Sequence, residues 1–191
     1  WGVLETFLRY GTGIALQAYL RTPHKKAVED QIQHMRRPSN GHYRALLREI
    51  LRSFQGKKDC FLSHMVEWHY TPKRKESEQA QLLDALIYDR NQDAHGTVRT
   101  EKELEKEFAE RLVFRVQTLL YKAKWLFGYT LFRISATKPL RRGQKGSIHF
   151  YMGNQSSPIP TAGRWTCRLL HEGVYISHPK GTHFMEVSPL L

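Results

Sequence analysis

The residues best placed to do chemistry are Asp89-Arg90-Asn91-Gln92-Asp93-Ala94-His95-Gly96. This run holds an arginine, a polar residue directly after it, and a histidine after four intervening residues. An imidazole with an ordinary pKa of about 6.5 can take up or release a proton near neutral pH, which suits His95 to acid–base work. Arg90 is always charged, and its planar fork matches two oxygens of a phosphate. Nothing in the sequence calls for a metal or a cofactor. His64 and His69 lack the spacing of a zinc-binding His-Glu-x-x-His, and there is no glycine-rich phosphate loop or nucleophile elbow. Arg37-Pro38-Ser39-Asn40-Gly41-His42 repeats the arginine-to-histidine spacing. The later run differs in having Asn91, a break at Gly96 and helical patterns on both sides.

The elements around the run set its geometry. Before it, Leu82, Leu83, Leu86 and Ile87 predict a helix over 79–89, with Arg90 on the side of Leu83 and Leu86. After it, Thr100 and Glu103 form a capping-box pattern with Glu101 in the first turn. They predict a long central helix carrying Leu104, Phe108, Leu112, Val116, Leu119 and Leu120. Residues five apart on an unbroken helix stand about 140° apart. Arg90 and His95 can therefore share one phosphate only if the helix ends between them, or if a second copy brings the two groups together. Gly96 suggests an early end.

Upstream, Val3, Leu4, Phe7, Leu8, Ile14, Ala15, Ala18 and Tyr19 predict a helix over 2–20, with Gly11 and Gly13 allowing close packing. A short helix runs through Val28 and Ile32 to Met35. Tyr43, Leu46, Leu47, Ile50, Leu51 and Phe54 give the clearest helical pattern, and Arg44, Arg48 and Arg52 line its opposite face. That stripe reads as a solvated face. Residues 61–68 read as helical. Beyond Trp125, strands are expected over 129–134, 147–152, 165–170, 174–177 and 184–187, with 153–163 a loop. Short strands in sequence suggest an antiparallel meander. The expected fold is mainly α: a helical domain at 1–125 followed by a small antiparallel β-region at 126–191.

The Arg-Asn-x-x-x-His run, with an apolar helix before it and a long helix after it, resembles the signature of the HEPN superfamily of helical domains. The resemblance covers roughly 1–125. It implies a HEPN-like helical bundle acting as a metal-independent ribonuclease, usually a homodimer with the two motifs facing each other. On that resemblance His95 serves as acid or base toward the 2′-hydroxyl or the leaving 5′-oxygen, Arg90 stabilises the phosphate, and Asn91 orients one of them. Domains of this kind occur in bacterial toxin and anti-phage defence proteins, some as non-catalytic adaptor or dimerisation modules.

Composition supports an anionic partner. In 191 residues, 30 Lys and Arg stand against 18 Asp and Glu, a net charge of +12. Such a field attracts phosphate backbones. Basic loops at Lys73-Arg74-Lys75 and at Arg141-Arg142 with Lys145 are candidate RNA contacts, with Trp68, Tyr70, Phe150 and Tyr151 near them as candidate stacking residues. If the strand is regular, only one of Phe150 and Tyr151 faces outward. His149, His171, His178 and His183 have no ligand spacing and read as surface or turn residues. Two distant cysteines, Cys60 and Cys167, form no disulfide framework, and with no signal peptide and no long apolar stretch a cytoplasmic protein without a membrane span is expected. The opening at Trp1 and the strand-like final residues suggest a piece of a longer protein with further domains or subunits.

Overall fold

The structure, a computed structural model, describes residues 1–57, 60–94, 100–139, 144–151, 159–165, 172–178 and 184–187. The chain divides into two compact units, Trp1–Lys124 and Trp125–Leu191.

The first unit is helical. α1 spans Gly2–Tyr19 and buries Leu4, Phe7, Leu8, Ile14, Ala15 and Ala18 on one stripe. Gly11 lets it approach the next layer: a Cβ there would lie 3.7 Å from Met65 Cε. α2 spans Lys26–Gln33, and a single 3-10 turn, His34–Arg36, follows it. α3, Asn40–Phe54, starts with a capping box in which Ser39 Oγ accepts the His42 N–H at 3.3 Å and His42 Nδ1 accepts the Ser39 N–H at 3.1 Å. That use of His42 gives the second arginine–histidine pair a structural role. α4 is Ser63–His69 and α5 is Glu78–Ala94. Leu46, Leu47, Ile50 and Leu51 of α3 are buried, as are Leu83, Leu86 and Ile87 of α5.

Two expectations about this unit need correction. The long helix after the motif is not one continuous α-helix. α6 covers Glu101–Glu107, a π-helical turn covers Phe108–Leu112, and α7 covers Val113–Lys122. Nor is it the central helix: Phe108, Phe114 and Tyr121 are exposed, and α7 fully buries Leu119. The π turn holds an extra residue, so the apolar stripe before it no longer lines up with the stripe after it. The capping box at Thr100 and Glu103 is present, with the Thr100 N–H donating to Glu103 Oε2 at 2.8 Å and the Glu103 N–H to Thr100 Oγ1 at 3.4 Å. The arginine stripe of α3 is also not a solvated face. Arg44 is buried, Arg48 is half-buried, and only Arg52 is exposed.

The second unit is a five-stranded antiparallel sheet in the order β3-β2-β1-β4-β5. β1 is Thr130–Pro139, β2 Gln144–Tyr151, β3 Ile159–Trp165, β4 Gly173–Ser177 and β5 Phe184–Glu186. It is not a simple meander, because β4 lies on the far side of β1 from β2 and β3. β3 falls mostly in the segment read as a loop. Pro160 hid it, yet a proline is tolerated there because β3 stands at the edge of the sheet, paired with β2. Residues 166–170, expected to be a strand, lie outside the described residues. On one face Phe132 stands opposite Phe150 and Tyr175, and Ile134 opposite Ile148, which forms the unit's core cluster. Phe150 packs there while Tyr151 is exposed. His178 is buried rather than on the surface, its ring edge-on to Tyr129 at 5.8 Å. His149 is half-buried beside Ser135 Oγ at 3.2 Å. His171 and His183 lie outside the described residues. Among the described residues, no helix is long and apolar enough to cross a membrane.

Candidate functional site

The first six residues of the motif, Asp89 to Ala94, lie on the last turns of α5. Asp89 is nearly buried and holds two arginines: Arg111 Nη2 donates to Oδ1 at 3.3 Å and Arg115 Nη1 to Oδ2 at 2.7 Å. Arg111 also pairs with Glu107. Asp89 thus ties α5 to the π turn and to α7. Arg90 comes next and is half-buried, and among the described residues no carboxylate pairs with it. Asn91 is half-buried as well. Asp93 accepts the indole N–H of Trp1 at 3.1 Å.

α5 continues without a break through Ala94. The expected early end of the helix therefore does not fall between Arg90 and residue 94, where backbone hydrogen bonding holds the α form. His95 lies outside the described residues. Of the two routes to a shared phosphate, an early break is closed up to Ala94, and a second copy remains.

Beside this end of α5 lies an apolar groove of about 640 Å³, lined by Trp1, Leu4, Phe108, Leu112, Val116 and Asp93 among others. The π turn supplies Phe108 and Leu112 to it.

A second polar cluster forms around two buried side chains, Arg44 and His69, where sequence reading placed none. Arg44 reaches across from α3 to α5 and α4. Its Nη2 donates to Asp84 Oδ2 at 2.9 Å, its Nε lies 2.8 Å from Asp84 Oδ1, and its Nη1 donates to His69 Nε2 at 2.9 Å. Arg48 completes the set, with Nη2 at 2.9 Å from Asp84 and Nε at 2.7 Å from Glu76. Arginine has no lone pair to offer, so Nε2 of His69 must be the acceptor and Nδ1 must carry the proton. Burial first, then the charges of Arg44 and Arg48, push the pKa of His69 down to about 3. A histidine held neutral and blocked at Nε2 cannot donate a proton at physiological pH. This cluster positions helices rather than transferring protons.

The remaining sequence candidates separate. Lys73, Arg74 and Lys75 are exposed on the loop between α4 and α5. Trp68 and Tyr70 are buried, so they cannot stack on bases as expected. Arg141 and Arg142 lie outside the described residues. Among those described, no group of three or more His, Cys, Asp or Glu side chains is arranged to hold a metal ion. No protein family, curated protein or solved structure matches the chain.

Proposed function

We propose that this chain is a HEPN-like helical module that cleaves RNA without a metal, with its chemistry at the C-terminal end of α5. The observation that carries the reading is Arg90: a guanidinium with no carboxylate partner among the described residues, next to an aspartate that already holds two. A guanidinium in that state can fork onto two oxygens of a phosphate, a bidentate and charge-assisted contact. In the proposed reaction the 2′-hydroxyl attacks the adjacent phosphorus and the 5′-oxygen leaves, giving 2′,3′-cyclic phosphate and 5′-hydroxyl ends. His95 takes the hydroxyl proton or gives one to the leaving oxygen, Arg90 stabilises the charge on the phosphate, and Asn91 orients one of them. Because α5 is continuous to Ala94, the reading places two motifs across a homodimer, Arg90 of one copy working with His95 of the other. Further domains of a bacterial defence or toxin-type protein, in the cytoplasm, would gate it.

The test is cleavage of labelled total RNA in excess EDTA by the purified chain, beside His95→Ala and Arg90→Ala. Loss of cutting in both variants, with cyclic phosphate ends on the wild-type products, supports the reading. Equal absence of cutting in all three folded proteins overturns it for this chain.

A second reading is favoured by the groove beside Asp93. Its apolar lining and the exposed Phe108 suit a non-catalytic adaptor that docks a neighbouring domain. On that reading, Phe108→Ser abolishes docking while His95→Ala does nothing.

A further inference from the structure

The loop between α4 and α5 is a built hairpin. The Thr71 N–H donates to the Lys75 carbonyl at 2.8 Å, the Arg74 N–H to the Thr71 carbonyl at 2.8 Å, and Tyr70 pairs with Glu76 as an isolated bridge. Thr71–Arg74 is a tight turn with Pro72 at its second position and its last residue in the left-handed region, the usual build of a three-residue hairpin loop. That left-handed position normally takes glycine, because a side chain there meets the backbone. Here it holds Arg74, at φ +61°. Strained positions of this kind cluster where the side chain has a task.

The hairpin is also anchored. The Tyr70 hydroxyl donates to the Arg48 carbonyl at 3.1 Å, and Glu76 is held by Arg48 at 2.7 Å. Arg74 reaches back to the exit turn of α3: its Nη2 lies 3.9 Å from where a Cβ on Gly56 would stand, and Gly56 itself turns at φ +78°. The next residue, Lys57, has its Nζ 4.5 Å over the Phe54 ring. Lys57, Lys73, Arg74 and Lys75 are all exposed, and none has a carboxylate partner among the described residues. Arg52, one turn back, is engaged by Glu49.

We infer that this hairpin and the α3 exit turn form a preorganised seat for the phosphate backbone of a single RNA strand. The inference rests on RNA being the partner, and it assigns the surface that loads it. The cations sit on a hairpin tip whose neighbouring aromatics, Trp68 and Tyr70, are buried, so the surface offers charge without an apolar patch. That combination fits a phosphate backbone rather than a membrane.

The test measures binding of labelled oligouridine over a salt titration, in a His95→Ala background so that no strand is cut. Arg74→Gly is the informative variant, because glycine suits the left-handed position and the protein should fold at least as well. It is expected to keep or raise the thermal midpoint while weakening binding, and to lower the salt slope by about 0.7, the value of one single-strand phosphate contact. Lys73→Glu with Lys75→Glu should weaken binding further and flatten the slope by about 1.4, for two contacts. Unchanged affinity and slope in both variants overturn the inference, as does polyglutamate binding as tightly as oligouridine. Failure of the ribonuclease reading shows separately, as absent cleavage by the wild-type chain alongside intact hairpin-dependent binding.

Discussion

Arg44 donates from Nη1 to Nε2 of His69 at 2.9 Å inside the helical unit, a cation hydrogen-bonded to a histidine that must stay neutral. The bond works only while His69 lacks its second proton, so folding and protonation at this site oppose each other.

The consequence is an acid-sensitive fold. The folded pKa of His69, about 3, lies below its ordinary 6.5, so the unfolded chain binds a proton that the folded chain refuses. The stability this group contributes is complete above about pH 6.5 and falls as pH drops toward 3, by up to about 1.4 kcal/mol per pH unit. Urea midpoints of wild type and His69→Gln between pH 7 and 5 test this. Glutamine keeps an acceptor for Arg44 and does not titrate, so its curve should be flatter, and parallel curves would sink the claim.

Removing Arg44 should cost far more than removing its neighbour. Arg44→Met leaves the buried His69 Nε2 without its donor and Asp84, partly exposed, with Arg48 alone, and should destabilise by about 2–3 kcal/mol. Arg48→Met, at a side chain one-third exposed, should cost about 1 kcal/mol. Arg44→Lys should not restore the loss, because an ammonium cannot fork onto Asp84 and reach His69 together. Denaturant melts of the three variants decide the order.

Adjacent residues of the motif should separate stability from activity. Asp89→Asn loosens Arg111 and Arg115 and should lower stability by about 1–2 kcal/mol. Arg90→Ala should change it by less than about 0.5 kcal/mol yet abolish RNA cleavage. A large stability loss in Arg90→Ala would mean that the arginine is structural.

A composite site across a dimer makes a distinctive prediction. Mixing Arg90→Ala with His95→Ala protein lets one site per mixed dimer draw an intact arginine from one copy and an intact histidine from the other. Random pairing should restore about a quarter of wild-type cleavage. No restoration after full subunit exchange would place both groups in one copy.

The sequence made the helical cores legible where periodicity was complete. Tyr43 to Phe54 marked α3, and Leu83 and Leu86 marked α5, because burial imposes a local spacing; the expected end at Asp89 fell short, since α5 runs on through Arg90 to Ala94. It could not show where Arg44 points. Its partners Asp84 and His69 lie 40 and 25 residues away, and no local pattern records a pairing of that span. The solvated-stripe reading failed for that reason. β3 was missed because Pro160 argues against a strand, and only the neighbour order shows that it sits at an edge. The π turn at Phe108–Leu112 leaves no mark in composition. The hairpin role of Thr71-Pro72-Lys73-Arg74 was hidden by the arginine itself, since a glycine at that position would have announced the turn.

The π turn between α6 and α7 also bears on how this region can change by insertion and deletion. A π turn is an α-helix carrying one residue too many, so loss of any one residue within Phe108–Leu112 would restore plain α-helix. Every position before it would then rotate by about 100° around the helix axis relative to α7. Phe108 would leave the groove beside Asp93, and a different side of α6 would face it. A single-codon deletion here would thus turn Glu105 and its neighbours on α6 away from the groove together, which no single substitution could do.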